Sequence, residues 1–163
     1  MIKMVRLDER MIHGQIAIKW SRHLDVDRII VANDAAASNP VVQQSLMMAA
    51  PATCKTAIVP VEKGIALCND PRSETLKILL IVSNPEDLLR VAKEVKDIPV
   101  INVGNYGRIA PKQGTEIRKT YDPNLYLYEN EREILKQVAA TGIHCIMQTT
   151  PEMTAQDLGK LLG

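Results

Sequence analysis

The sequence predicts an α/β fold: a single-domain, open, mostly parallel, doubly wound sheet with helices on both faces, spanning residues 1–163. Three observations carry this. Short apolar runs alternate with longer amphipathic segments, the pattern of βαβ units. Asn-Pro pairs and single glycines punctuate the boundaries between them. The 163 residues, of which 46% are hydrophobic and 24% charged, suit one domain with its own core.

The elements follow in order. Lys3 to Leu7 reads as the first strand. Gly14 to Leu24 reads as a helix, with Ile16, Trp20 and Leu24 on one face. Arg28 to Ala32 is a mostly β-branched run and so a buried strand. Ser38-Asn39-Pro40 starts a helix over Val41 to Ala50, which Pro51 stops. Thr56 to Val59 is a strand and Val61 to Cys68 a helix. Leu76 to Val82 is the strongest strand. Ser83-Asn84-Pro85 caps a helix over Glu86 to Val95, and Pro99 to Val103 is the next strand. Gly104 to Lys119 contains Gly104, Gly107, Pro111 and Gly114, which suggests an irregular functional loop with a short strand at its end. Asn124 to Ala140 reads as a helix closed by Gly142, Ile143 to Gln148 as a last strand, and Thr154 to Leu162 as a last helix.

Composition narrows the function classes. Lys and Arg number 20 against 19 Asp and Glu, a net charge of +1. That balance argues against a nucleic-acid partner or a dominant anionic-lipid surface, and Tyr106, Tyr121, Tyr126 and Tyr128 form no base-stacking motif. Cys54, Cys68 and Cys145 form no C-x-x-C and no zinc-like spacing, so neither a disulfide nor a metal site is expected. No signal-peptide pattern and no span of membrane length is visible, so the expected setting is the reducing cytosol, with any membrane role acting through a partner.

In a doubly wound sheet, ligands bind beyond the carboxyl ends of the strands. The candidate site loops are therefore Asp8 to His13, Asn33 to Asn39, Ser83-Asn84 and Gly104 to Gly114. The first is the most informative. In Arg6-Leu7-Asp8-Glu9-Arg10-Met11-Ile12-His13-Gly14-Gln15, polar residues are dense, Met11 and Ile12 anchor the loop, and His13 stands just before a helix. Unpaired N–H groups and the dipole at a helix start favour an anion. A phosphoryl group on His13 would meet the N–H groups of Gly14 and Gln15. Gly14 lacks a Cβ, and Arg10 can fold a bidentate guanidinium over the oxygens. Asp8, Asn33 and Asp34 lie near strand ends, where they either orient His13 or cap loops.

These residues also admit simpler readings. A loop histidine usually hydrogen-bonds without reacting, and Arg10 can pair with Asp8 or Glu9 at the surface. His23 falls on the polar face of its helix and His144 reads as structural. The glycines match neither a dinucleotide fingerprint nor a P-loop, and no cofactor is expected. Position alone leaves three uses for the crevice: a phosphoryl relay, a noncatalytic regulatory module binding a nucleotide or acidic partner, and a small hydrolase with His13 as general base. No second catalytic group is visible, which suits a relay best.

The stretch Arg6 to Gln15, followed by Trp20, resembles the signature of the mannose/fructose/sorbose family of phosphotransferase-system IIB subunits. The resemblance continues through Arg28 to Asp34, Asn84-Pro85 and Ile101-Asn102-Val103-Gly104, and covers nearly the whole chain. It implies that a IIA partner phosphorylates His13 at Nδ1, with Arg10 binding the phosphoryl group. It implies that the group then passes to a sugar entering through a IIC/IID membrane complex, which would hold this subunit at the membrane periphery. Asn105-Tyr106-Gly107 stands where many mannose-type members have Gly-Gly-Met, and a basic segment, Arg108 to Lys119, follows. In this the chain looks more like the N-acetylgalactosamine or hexosamine type. Arg6, Arg10, Lys112, Arg118 and Lys119 are the basic residues expected at the face that meets an acidic IIA rim. Whether the chain forms a homo-oligomer stays open.

Overall fold

The computed structural model describes residues 1–163. Its central strand is β1, Ile2–Asp8, whose side chains alternate between two buried faces. Around it lie β2 (Arg28–Ala32), β3 (Lys55–Val59), β4 (Ile78–Val82), β5 (Ile101–Asn105), β8 (Cys145–Met147) and β9 (Gln156–Asp157). The sheet order is β3-β2-β4-β1-β5-β8-β9. All neighbours are parallel except β9, a two-residue antiparallel edge on β8. Strands such as Ile78–Val82 (ILLIV) are apolar on both sides because both sides are covered.

The helices are α1 (Gly14–Leu24), α2 (Asp34–Ala37), α3 (Pro40–Ala49), α4 (Val61–Asn69), α5 (Pro85–Glu94), α6 (Glu129–Ala139) and α7 (Leu158–Leu162). Trp20 of α1, Ala36 of α2 and Leu46 of α3 pack with Met4, Ile29, Val31, Leu79 and Ile81 on one face. Ile65 of α4, Leu88 of α5, Leu135 of α6 and Leu158 of α7 pack with Leu7, Ile30, Leu80 and Val103 on the other. This division follows from handedness. The chain steps one way across the sheet from β1 to β2 to β3, then the other way through β4 and β5 to β8. Right-handed crossovers put the two sets of helices on opposite faces. The chain therefore leaves β1 toward one face and leaves its neighbours β4 and β5 toward the other. The loops part at the carboxyl end of β1 and open a crevice there.

The doubly wound sheet, α1, α3, α4 and α5 lie where the sequence places them, with Asn39 and Asn84 capping α3 and α5. Three expectations are corrected. Residues 124–140 are not one helix. Leu125–Leu127 is a strand, β7, which pairs antiparallel with β6 (Lys119–Asp122), and α6 begins only at Glu129, where the Glu131 carboxylate accepts from the Tyr128 N–H. Pro123-Asn124 is the hairpin turn rather than a helix start. Residues 154–162 hold the edge strand β9 before α7, because Asp157 accepts from the Lys160 N–H and fixes the helix start there. Gly104 does not open a loop: β5 continues through Asn105.

Candidate functional site

β1 delivers Arg6 and Asp8 to the same face, since alternate residues of a strand project together. Arg6 is 2% exposed and Asp8 fully buried. The Arg6 Nη2 donates to Asp8 Oδ2 at 3.0 Å, and Nη1 donates to Asn102 Oδ1 at 2.5 Å. The guanidinium also lies over the Trp20 ring, 5.5 Å from its centroid. Gly104 makes room for it: a Cβ there would fall 2.2 Å from the guanidinium. Arg6 is thus a buried structural cation, not part of a docking face.

After β1 the chain turns tightly. The Met11 N–H donates to the Asp8 carbonyl at 2.9 Å, with Met11 at φ 61. Ile12 is buried against the α1 face and anchors the loop. His13 then stands as N-cap of α1 in extended conformation. Its Nε2 lies 2.9 Å from Asp8 Oδ2. An ionised carboxylate can only accept, so Nε2 carries the proton and Nδ1 keeps a free lone pair. The His13 side chain is 19% exposed, enough to be reached from outside while one nitrogen is held inside.

Burial alone would raise the Asp8 carboxyl. The His13 hydrogen bond, the Arg6 charge and the Arg10 backbone N–H outweigh burial and hold it below the usual carboxylate range. Burial pulls the Arg6 guanidinium down from its ordinary value against the opposing pull of Asp8. A guanidinium starts high enough to stay charged. The result is a fixed buried charge pair, Arg6 and Asp8, with His13 hydrogen-bonded to its carboxylate.

The helix start beside His13 has no side-chain cap, whereas α3, α5 and α7 are capped by Asn39, Asn84 and Asp157. Its first N–H groups are free for an anion. Gly14 adopts φ +48 with nothing within 4 Å of a would-be Cβ, so the backbone conformation calls for glycine there, not a close approach. Gln15 is exposed at the same end. Arg10 is exposed, and its guanidinium pairs with neither Asp8 nor Glu9; only its backbone N–H is engaged, by Asp8 Oδ1 at 3.0 Å.

Asp34 is placed elsewhere. It sits at the start of α2, past the end of β2, and its carboxylate accepts from the Val61 N–H at 2.9 Å, capping α4. Asn33 caps α2 and donates to Ser83. His23 is exposed near the far end of α1, and His144 precedes β8 at the opposite end of the sheet. Arg118, expected on the docking face, is instead buried against Glu131 at 3.0 Å and stacked on Tyr128, 4.3 Å from its centroid. Lys112 and Lys119 remain exposed.

Glu9 is the residue that reading the sequence missed. Its buried carboxylate accepts from the N–H groups of Gly107, Arg108, Ile109 and Ala110, at 3.0 to 3.3 Å. One side chain thereby ties the loop after β5 to the loop carrying His13. The only signal was an acidic residue at a strand end facing a glycine-bearing loop.

Residues 2–163 match the family model described as the PTS system sorbose subfamily IIB component. A probable phosphotransferase enzyme IIB component of Streptococcus pyogenes is 36% identical over 164 residues, covering 100% of both chains. The N-acetylgalactosamine-specific phosphotransferase enzyme IIB component 2 of Escherichia coli is 30% identical, covering 99% of this chain and 98% of that one. The IIBSor domain of the sorbose permease from Klebsiella pneumoniae shares the fold, with a TM-score of 0.88 over 99% of this chain and 95% of that one at 22% identity. The chain belongs to the sorbose subfamily of phosphotransferase-system IIB components, which act as phosphotransferases in sugar uptake.

Proposed function

We propose that His13 carries the phosphoryl group, on Nδ1, between a IIA donor and a sugar. The observation that carries this reading is the Asp8–His13 hydrogen bond at 2.9 Å, which leaves Nδ1 as the nucleophilic nitrogen of a partly exposed imidazole. Nδ1 attacks the donor's phosphorus, the donor's bond to phosphorus breaks, and the proton stays on Nε2. The phosphorylated ring is then cationic, and Asp8 stabilises it. That charge also makes the ring a good leaving group when a sugar hydroxyl attacks phosphorus. Arg10 supplies a free planar guanidinium for the phosphoryl oxygens, and the N–H groups of Gly14 and Gln15 supply the helix-end field.

No helix of the chain is long and apolar enough to cross a membrane, so IIC and IID membrane subunits are the partners through which the sugar would be reached. For the sugar we favour a hexosamine such as N-acetylgalactosamine. Overall identity does not select it, since the relative with the higher identity, 36%, names no sugar. The reading rests on Asn105-Tyr106-Gly107 and the basic segment after it.

The test is labelling with phosphoenolpyruvate, the general carrier proteins and a IIA donor. One acid-labile, base-stable phosphoryl group is expected on the wild type and none on His13→Ala, whose fold a melt would verify. Full labelling of that variant would refute the assignment.

A further inference from the structure

The site contains one polar side chain that nothing in the chain satisfies. Asn105 ends β5 and is 8% exposed, yet its carboxamide makes no hydrogen bond, and Oδ1 is fully buried without a partner. Buried polar atoms left unpaired are costly, and natural structures retain few of them.

Its position gives this a meaning. The register of β1 and β5 slips by one residue between Leu7 and Asp8, so that Asp8 stands opposite Asn105, and the Glu9 N–H donates to the Asn105 carbonyl at 2.9 Å. The residues on either side settle which face Asn105 uses. Val103 and Tyr106 both pack into the α5 and α6 side of the core, together with Leu7. Gly104 faces Arg6 on the other side. The slip lets Asn105 follow Gly104 onto that same side, which is the face of Asp8 and His13. The unsatisfied carboxamide therefore belongs to the crevice in which His13 stands, next to the carboxylate that holds His13.

We infer that Asn105 is a phosphoryl-binding residue, its carboxamide donating an N–H to an oxygen of the group on His13; this rests on the phosphohistidine reading above. A carboxamide suits the place. It carries no charge to oppose Asp8 or the phosphoryl group, and its NH2, unlike Oδ1, is not fully buried and can donate. Within the unphosphorylated chain it has no partner. Phosphorylation supplies the acceptor, so the interaction forms only with the group in transit and favours loading of His13. No bond to Asn105 is made or broken.

Two measurements test this. In the 15N-labelled wild type, the Asn105 side-chain NH2 resonance should move on phosphorylation by more than that of any other asparagine. Transfer from phosphorylated IIA should fall about a hundredfold in Asn105→Ala, the usual scale for one lost donor, and further in Asn105→Asp, whose carboxylate repels the phosphoryl group. Melting curves confirm that the variants fold. An unmoved NH2 resonance, with both variants transferring at the wild-type rate, would overturn the inference and point to a fixed water as the partner. Labelling that persists in His13→Ala would instead remove the reading on which it rests, so the two failures are distinguishable.

Discussion

Replacing Asp8 with Asn exchanges one oxygen for an NH2 group and should disable the relay. In the wild type, Oδ2 accepts from His13 Nε2 at 2.9 Å and from Arg6 Nη2 at 3.0 Å, while Oδ1 accepts from the Arg10 N–H at 3.0 Å. A carboxamide has one oxygen for these three donors. If its oxygen takes the Oδ2 place, its NH2 confronts the Arg10 N–H and one donor is left unpaired. In the reverse orientation the NH2 confronts Arg6 and forces the His13 proton onto Nδ1, which removes the nucleophilic lone pair. A buried donor without a partner costs about 1–3 kcal/mol. For a domain of this size, that lowers the melting temperature by about 2–12 °C. Loss of the carboxylate that stabilises the phosphorylated ring, added to the tautomer conflict, should slow transfer by about a hundredfold to a thousandfold. Because the folded Asp8 carboxyl lies below its unfolded value of about 3.9, its contribution to stability is complete above that pH and is lost as pH falls through the folded value. The melting difference between wild type and Asp8→Asn should therefore narrow below about pH 4. The assay is rapid-quench transfer from phosphorylated IIA at 20 °C or so, with melts by circular dichroism. A folded variant that transfers at the wild-type rate would refute the reasoning.

Three further outcomes follow from the same geometry. Arg10→Lys keeps the charge and loses the planar fork, so transfer should slow by about a hundredfold with an unchanged melt; a wild-type rate would reduce Arg10 to a surface cation. Glu9→Gln weakens the four bonds that hold residues 107–110, and the amides of Gly107, Arg108 and Ala110 should exchange about tenfold faster or more, measured by hydrogen exchange; unchanged protection would show that the loop holds itself. Lys112→Glu with Lys119→Glu should slow phosphorylation by IIA at low salt and leave stability unchanged, since both side chains are exposed; an equal rate at two salt concentrations would exclude this segment from docking.

The fold was legible where its physics is local. Ile78–Val82 could only be a buried strand, and Asn39-Pro40 and Asn84-Pro85 state where α3 and α5 begin. The β6–β7 hairpin was hidden because Leu125–Leu127 is three residues long. That is too short for its alternation to stand out beside the eleven-residue α6, and Pro123-Asn124 serves equally as a turn and as a helix start. At the site, the place of His13 could be anticipated from a strand end followed by a helix. The fates of Arg6, Arg118 and Glu9 could not. Each depends on a partner far along the chain: Asn102, Glu131 and the amides after Gly107. A sequence shows a charge but not whether distant backbone will bury it.

The central claim concerns one nitrogen atom, and nuclear magnetic resonance of the 15N-histidine-labelled protein phosphorylated through IIA observes it directly. The account predicts phosphorus coupling to Nδ1 of His13, with Nε2 retaining its proton and its hydrogen bond to Asp8. Coupling to Nε2 of His13, or to a nitrogen of His23 or His144, would contradict it.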